Sequence, residues 1–306
     1  MVNDMKDNVC ILIPTLNEGR TIGPLVKAYR ELGFEDVLVI DGHSTDDTQA
    51  EALAAGARVV TQNGAGKGTA VQQAFNLIDK EITIMVDGDG TYLPGEVDRL
   101  IEPVANGSAD HVLGNRFANY DRGAFTRLNH FGNKLLNMAF NITYHVRLND
   151  ILTGYRAFNK KAIRAVNLSQ SGFGIEAEMT VECLKKDLRM CEVPITYLPR
   201  LPGAPTKLNP LGDGVKIGYT IYKLGKTYNP MLYFTLLSIL FMGIGTLLGF
   251  YIVYDRFIRV PPLDHIPLTI LSALLIIFGA QVFIFGYLID MMMLMQREML
   301  KEMRKR

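Results

Sequence analysis

The chain has 306 residues, 48% of them hydrophobic, with 28 glycines, 13 prolines, 3 cysteines, no tryptophan, and 32 basic against 31 acidic side chains. That length supports one large domain or two smaller ones, and high apolar content with little charge excludes a disordered chain. A net charge of +1 gives no general electrostatic footprint for nucleic acid.

The opening MVNDMKDNVC lacks a basic flank, an apolar run and a small-residue cleavage site, so it is not expected to act as a signal peptide. Apolar, β-rich runs then follow at Val9–Ile13, Asp36–Ile40, Arg58–Thr61, Ile82–Val86 and His111–Leu113, separated by helical patterns at Thr21–Leu32, Thr48–Ala55 and Gly68–Ile78. This alternation predicts an α/β domain with a mostly parallel sheet flanked by helices, and ligands in such sheets bind beyond the carboxyl ends of the strands. Thr126–Val146 and Gly214–Tyr228 mix basic and apolar residues at helical spacing, as interfacial helices do.

Met231–Tyr254 and Ile266–Ile289 are each free of charge, and at about 1.5 Å per residue each is long enough to cross a bilayer core of roughly 30 Å. Between them lie Asp255, Arg256, Arg259, Pro261, Pro262 and Asp264, so the pair reads as a transmembrane hairpin. The tail carries Arg297, Lys301, Arg304, Lys305 and Arg306, which places it and the large N-terminal part on the cytoplasmic side of a cell membrane. Cys10, Cys183 and Cys191 cannot all pair with one another and fall in no zinc spacing, in keeping with a reducing compartment. The expected layout is an α/β domain over 1–205, an interfacial linker over 206–230, a membrane segment over 231–295 with spans 231–254 and 266–289, and a basic tail over 296–306.

The strand ends carry the chemistry. The first runs into Pro14, Thr15, Leu16, Asn17 and Glu18; the second ends in Asp41, placed to accept a hydrogen bond from a base or ribose, followed by capping residues Ser44 to Thr48. The third leads into a glycine-rich turn with Lys67, which can present N–H groups and a cation to an anion. It is not a Walker A loop, because Gly68 follows the lysine where that motif needs Ser or Thr. The fourth ends in Asp87-Gly88-Asp89-Gly90-Thr91, two carboxylates able to hold one hard cation that offsets the charge of a diphosphate. An EF-hand fails at Tyr92 and Asp98, which replace its glycine and terminal glutamate. A phosphatase of the haloacid-dehalogenase kind also matches DGDGT, with Asp87 as nucleophile and Asp89 as acid/base, although that motif normally closes the first strand of its domain.

IPTLNE, DGHSTDDT, GKG, DGDGT, GNRF at Gly114–Phe117 and DILTGYRAF at Asp150–Phe158, in this order, resemble family 2 glycosyltransferases of the GT-A (Rossmann-like) fold. With the hairpin they resemble the polyprenyl-phosphate sugar synthases, in particular the archaeal branch that makes dolichyl-phosphate hexose or N-acetylhexosamine for protein N-glycosylation. The resemblance implies a nucleotide-sugar site built from Pro14, Thr15, Asn17, Glu18, Asp41, Lys67, Asp87, Gly88, Asp89, Asp150, Thr153, Gly154, Glu176 and Arg200. It implies Mg²⁺ or Mn²⁺ on Asp87 and Asp89, an acceptor phosphate held by Arg116, Arg127, Asn133 and Lys134, and catalysis resting on Asp89, Arg116 and Arg127. Arg156 and Glu178 fall in the same sugar-holding part. Dolichyl-phosphate mannose synthases often carry Gln two residues beyond the second aspartate; Thr91 stands there, which shifts the expected donor from GDP-mannose to UDP-glucose or UDP-N-acetylglucosamine. The expected reaction is inverting transfer of the sugar to dolichyl or polyprenyl phosphate at the bilayer, with GDP-mannose and the phosphatase chemistry as the alternatives.

Overall fold

A computed structural model describes residues 6–169, 172, 174–201, 210–258 and 266–305. The segment 202–205 and Lys207, together with Arg259, Pro261, Pro262, Asp264 and Arg306, lie outside the described residues, as do the side chains of Arg297, Lys301, Arg304 and Lys305. Two compact units divide the chain, Met1–Leu224 and Gly225–Arg306.

In the first unit seven strands form one sheet: β1 (Val9–Thr15), β2 (Asp36–Asp41), β3 (Arg58–Thr61), β4 (Ile82–Met85), β5 (His111–Tyr120), β6 (Arg156–Asn159) and β7 (Met190–Tyr197), in the order β3-β2-β1-β4-β6-β5-β7. β1 pairs in parallel with β2 and β4, β2 with β3, and β5 with β7, whereas β6 runs antiparallel to β4 and β5. The helices are α1 (Gly19–Glu31), α2 (Thr48–Ala54), α3 (Lys67–Leu77), α4 (Val97–Ala105), α5 (Arg127–Tyr144), α6 (Lys160–Ala165), α7 (Ile175–Lys185) and α8 (Pro210–Tyr228). The expected α/β alternation is present through β5; β6 and β7 were not anticipated.

Strand period sorts the core into two layers. On β1, Val9, Ile11 and Ile13 face a cluster with Ile22, Val26 and Tyr29 of α1 and Leu100 and Val104 of α4. Cys10 and Leu12 face the opposite cluster, with Val71, Ala74 and Phe75 of α3 and Met179 and Cys183 of α7. Because both faces are covered, β1 and β4 are buried along their whole length and read as mostly apolar runs without polar alternation.

The second half of the sheet is tied at one end by Asp110, just before β5. Its carboxylate accepts from the Arg189 backbone N–H (2.9 Å), Nε (3.1 Å) and Nη2 (3.1 Å) and from Asn159 Nδ2 (2.8 Å), which joins the ends of β5, β6 and β7. At the other end, β5 and β7 lose regular register between Asn115 and Asn119, opposite Pro194, which has no N–H to give. Arg116 lies in that irregular stretch.

The second unit contains α9 (Pro230–Ile258) and α10 (Ile266–Lys305), antiparallel helices packed along each other, with Ser272 Oγ donating to the Gly245 carbonyl at 2.7 Å. Pro230–Phe257 and Ile266–Gln296, 28 and 31 residues, are long and apolar enough to cross a membrane.

The Arg189 hydrogen bonds hold the Asp110 carboxyl below the usual carboxylate range. A depressed native value contributes stability that is full above the unfolded value of about 4 and is lost as pH falls through the native one. Asp110→Asn is therefore expected to be less stable than wild type near neutrality, with the gap narrowing below about pH 4. Thermal unfolding of both proteins from pH 6 to pH 3 checks this; a constant gap would contradict it.

Candidate active site

β4 lies between β1 and β6, so the motif at its end is walled by the loop after β1 and by the turn that precedes β6. Val86 N–H still bonds to Leu12 O (3.0 Å), after which the chain leaves the sheet at Asp87. Gly88 is buried against the Thr15 methyl, so close that a Cβ would stand 2.8 Å from it, and its carbonyl accepts from Thr21 Oγ1 at 2.6 Å. The side chain of Glu18 flanks the same glycine.

The two carboxylates have different surroundings. Asp87 Oδ1 accepts from Lys67 Nζ (2.5 Å), and the same ammonium contacts Glu176 Oε1 at 2.6 Å. Lys67 opens α3 and Glu176 lies in the first turn of α7, so this triad ties both helices to the strand end. Burial by itself would lower the Lys67 ammonium, but the charges of Asp87 and Glu176 outweigh it and push it above its ordinary range. Burial by itself would raise Asp87; Lys67, Arg116 and Arg200 together hold it below the usual carboxylate range.

Asp89 is 5% exposed. Its Oδ1 accepts from the Thr91 N–H (3.2 Å) and hydroxyl (2.7 Å), and its Oδ2 faces Arg200 Nη2 at 2.6 Å. Thr91 thus spends its donors on holding Asp89. Among the described residues no group of three or more His, Cys, Asp or Glu gathers as a metal cage. Two carboxylates nonetheless suit a hard divalent cation whose other ligands are substrate phosphate oxygens and water.

Gly154 closes the site from the β6 side. A side chain there would drive into the Asp87 carboxylate, and its N–H donates to Tyr92 Oη at 2.9 Å. Tyr92, 2% exposed, packs against Tyr155 and Tyr197 with ring centroids 5.2 and 5.4 Å away. Thr153 is fully buried, its Oγ1 accepting from Tyr155 N–H (3.3 Å) and its carbonyl from Arg156 Nε (2.9 Å). Arg156, also fully buried, further donates to Ile151 O (2.6 Å) and Thr180 Oγ1 (2.9 Å), so it pins this turn from beneath.

Arg116 is 8% exposed and makes a two-pronged contact with Asp150, Nε to Oδ2 at 2.6 Å and Nη2 to Oδ1 at 2.8 Å, while its backbone N–H reaches the same carboxylate at 3.1 Å. Its guanidinium lies over the rings of Tyr197 (5.2 Å) and Phe125 (5.6 Å). Phe125 also lines a cavity of about 270 Å³ with Tyr120, Thr126, Arg127 and His130, at the start of α5. Arg127 and Lys134 are exposed on that helix, and Asn133 donates to the Asn129 carbonyl at 2.8 Å.

The remaining expected residues are engaged in joining loops. Asn17, at φ 51°, receives Thr45 N–H on its Oδ1 (2.8 Å) and gives its own N–H to Ser44 Oγ (2.8 Å); Glu18 N–H donates to Thr48 Oγ1 (2.8 Å). Asp41 is fully buried and accepts from Ser44 N–H and Oγ and from Gln49 Nε2. Pro14 and Thr15 finish β1, and the Thr15 carbonyl accepts from Gly42 N–H at 2.7 Å. Glu178 faces away from the triad and holds the Ser169 N–H and hydroxyl. Sequence reasoning missed Tyr92, Tyr197 and Phe125; the aromatic directly after DGDGT was the one available signal.

The family model for glycosyl transferase family 2 matches residues 10–166. The chain is similar to "Glycosyltransferase AglJ" of Haloferax volcanii, 42% identical over 96% of this chain and 97% of that one. It is also similar to the "Dolichyl-phosphate hexose transferase" of the same organism, 29% identical over 71% of this chain and 94% of that one. Among solved structures it shares its fold with glucosyl-3-phosphoglycerate synthase from Mycobacterium tuberculosis in complex with Mn²⁺, uridine-diphosphate-glucose and phosphoglyceric acid, at 22% identity and a TM-score of 0.61 over 73% of this chain and 82% of that one. A family match over half the chain, a relative aligned almost end to end and a strand-end carboxylate pair in a GT-A sheet agree, and this chain belongs to glycosyl transferase family 2.

Proposed function

We propose that the protein transfers one sugar, with inversion, from a nucleotide-sugar to dolichyl or polyprenyl phosphate, giving a lipid-linked phosphosugar for protein N-glycosylation. The observation that carries a lipid acceptor is the outer face of α5. Leu128, Phe131, Leu135, Met138 and Ile142, spaced three and four apart, are 49–67% exposed, and this apolar stripe starts beside the cavity that holds Arg127. In the same unit α8 packs on α5, with Tyr144 Oη donating to Ile221 O at 3.3 Å. It exposes Val215, Tyr219 and Tyr222 next to Lys216 and Lys223. Apolar stripes with basic neighbours suit a bilayer interface, and a relative named as a dolichyl-phosphate hexose transferase supports the same acceptor.

The chain's own residues divide the work. Asp87 and Asp89 would hold Mg²⁺ or Mn²⁺, which when bound offsets the charge of the departing nucleoside diphosphate. Lys67 keeps Asp87 ionised and in place, and Gly154 sets how deep the donor sits. Arg116, fixed by Asp150 and lying over two neighbouring rings, offers a positive wall to the acceptor phosphate, together with Arg127, Asn133 and Lys134. That phosphate is already anionic near pH 7, so no strong general base is needed; holding two anions in line is the task. The acceptor oxygen bonds to the anomeric carbon as the diphosphate leaves with its electron pair, so an α-linked donor gives a β-linked product.

Thr91, whose hydroxyl serves Asp89, leaves no amide side chain where the mannose synthases often have one, which favours UDP-glucose or UDP-N-acetylglucosamine over GDP-mannose. α9 and α10 anchor the enzyme in the cell membrane, with the catalytic unit and the C-terminus on the cytoplasmic side. Membership of glycosyl transferase family 2 supports sugar transfer over the phosphatase chemistry.

Purified protein incubated with dolichyl phosphate, Mg²⁺ and a panel of UDP- and GDP-sugars is expected to yield a lipid phosphosugar from one donor, detected by mass spectrometry and lost with EDTA. No lipid product from any donor would sink this assignment. Asp89→Ala is expected to lower transfer at least about 100-fold without loss of folding. Gly154→Ala, which pushes a methyl group into Asp87, is expected to cost about 10- to 100-fold in rate. A wild-type rate in either variant would detach that residue from catalysis.

A further inference from the structure

The two carboxylates of the motif differ in how their countercharges are held. Lys67 is locked between Asp87 and Glu176, with side-chain exposures of 16% for the lysine and 6% for the glutamate, and forms a closed internal triad. Arg200 meets Asp89 from the open side, with 31% of its side chain exposed. It stands three residues beyond β7, on a segment anchored to the same motif by Leu198 N–H on the Thr91 carbonyl at 2.9 Å. The root of this segment is fixed relative to Asp89, while the long side chain reaches in from solvent.

Asp89 has no spare place for a second cation in this arrangement. Thr91 occupies Oδ1 with two donors, and the Arg200 guanidinium sits 2.6 Å from Oδ2. A divalent cation and a guanidinium repel each other at such a distance, so a cation entering at Oδ2 must send Arg200 elsewhere. A nucleoside diphosphate, with anionic oxygens next to that cation, is the partner that a planar guanidinium fork recognises best.

Building on the assignment of Asp89 to the cation site, we infer that Arg200 is a resident countercharge that exchanges with the divalent cation. It keeps Asp89 neutralised in the empty enzyme, weakens binding of the cation alone, and moves to the diphosphate when cation and nucleotide arrive together. The exchange couples the two ligands. Nucleotide improves cation affinity partly by giving Arg200 a new anionic partner, and by reciprocity the cation improves nucleotide affinity.

The test measures Mn²⁺ binding to the full-length protein in detergent, from the free-ion electron paramagnetic resonance signal, with and without UDP. In Arg200→Gln, Mn²⁺ alone is expected to bind about tenfold tighter than in wild type, and the gain in Mn²⁺ affinity on adding UDP is expected to shrink by about the same factor. Arg200→Lys, which keeps the charge, is expected to stay close to wild type. Equal or weaker binding of Mn²⁺ alone to Arg200→Gln overturns the exchange. Mn²⁺ binding that survives unchanged in Asp89→Ala overturns the cation site itself, so the two failures are told apart.

Discussion

Charge compensation at the end of β4 is the constraint on which the site depends. Asp87 and Asp89 leave the sheet between β1 and β6, where burial penalises each bare carboxylate, and the structure sets one cation against each of them. Removing Lys67 would take from Asp87 and Glu176 the ammonium that they share and would loosen the contact of α3 and α7 with the strand end. The surrounding features serve the same motif. Gly88 lets it approach β1, Thr91 fixes one Asp89 oxygen, and Gly154, held by Tyr92, forms the wall behind Asp87.

A second buried ion pair, Arg116 with Asp150, lies on the side proposed for the acceptor. Its desolvation is offset by two-pronged geometry, a further backbone donor and two aromatic faces. Since Phe125 touches both Arg116 and the cavity at the start of α5, that contact joins the carboxylate-lined end of the sheet to the apolar outer stripe. In the proposed reaction, a water-soluble nucleotide-sugar and a phosphate at the head of a lipid would meet at one end of one sheet.

Much of this was legible in the sequence because it depends on local pattern. β1 to β4 are short apolar runs closed by turn chemistry, DGDGT and GNRF are contiguous, and the two apolar helices announce themselves by length. What stayed hidden depends on contacts between distant segments. β6 is four residues long and opens with Arg156, a charged residue that reads as surface but is fully buried on the carbonyls of Ile151 and Thr153. The antiparallel direction of β6 follows from pairing with β4 and β5 and leaves no periodic trace. Lys67 with Glu176, and Asp89 with Arg200, join residues that only the folded sheet brings near. Asp41 stands at the strand end from which a base or ribose was expected to be met, and the fold adds what the sequence did not show, donors from Ser44 and Gln49 on the same carboxylate.

The most direct test of this account is the position of the cation. A crystal or cryo-electron microscopy structure of the full-length protein with Mn²⁺ and UDP should place the metal at Asp87 and Asp89, with the diphosphate beside it and Lys67 still on Asp87. Metal and diphosphate located away from the end of β4 would contradict the role given to the carboxylate pair.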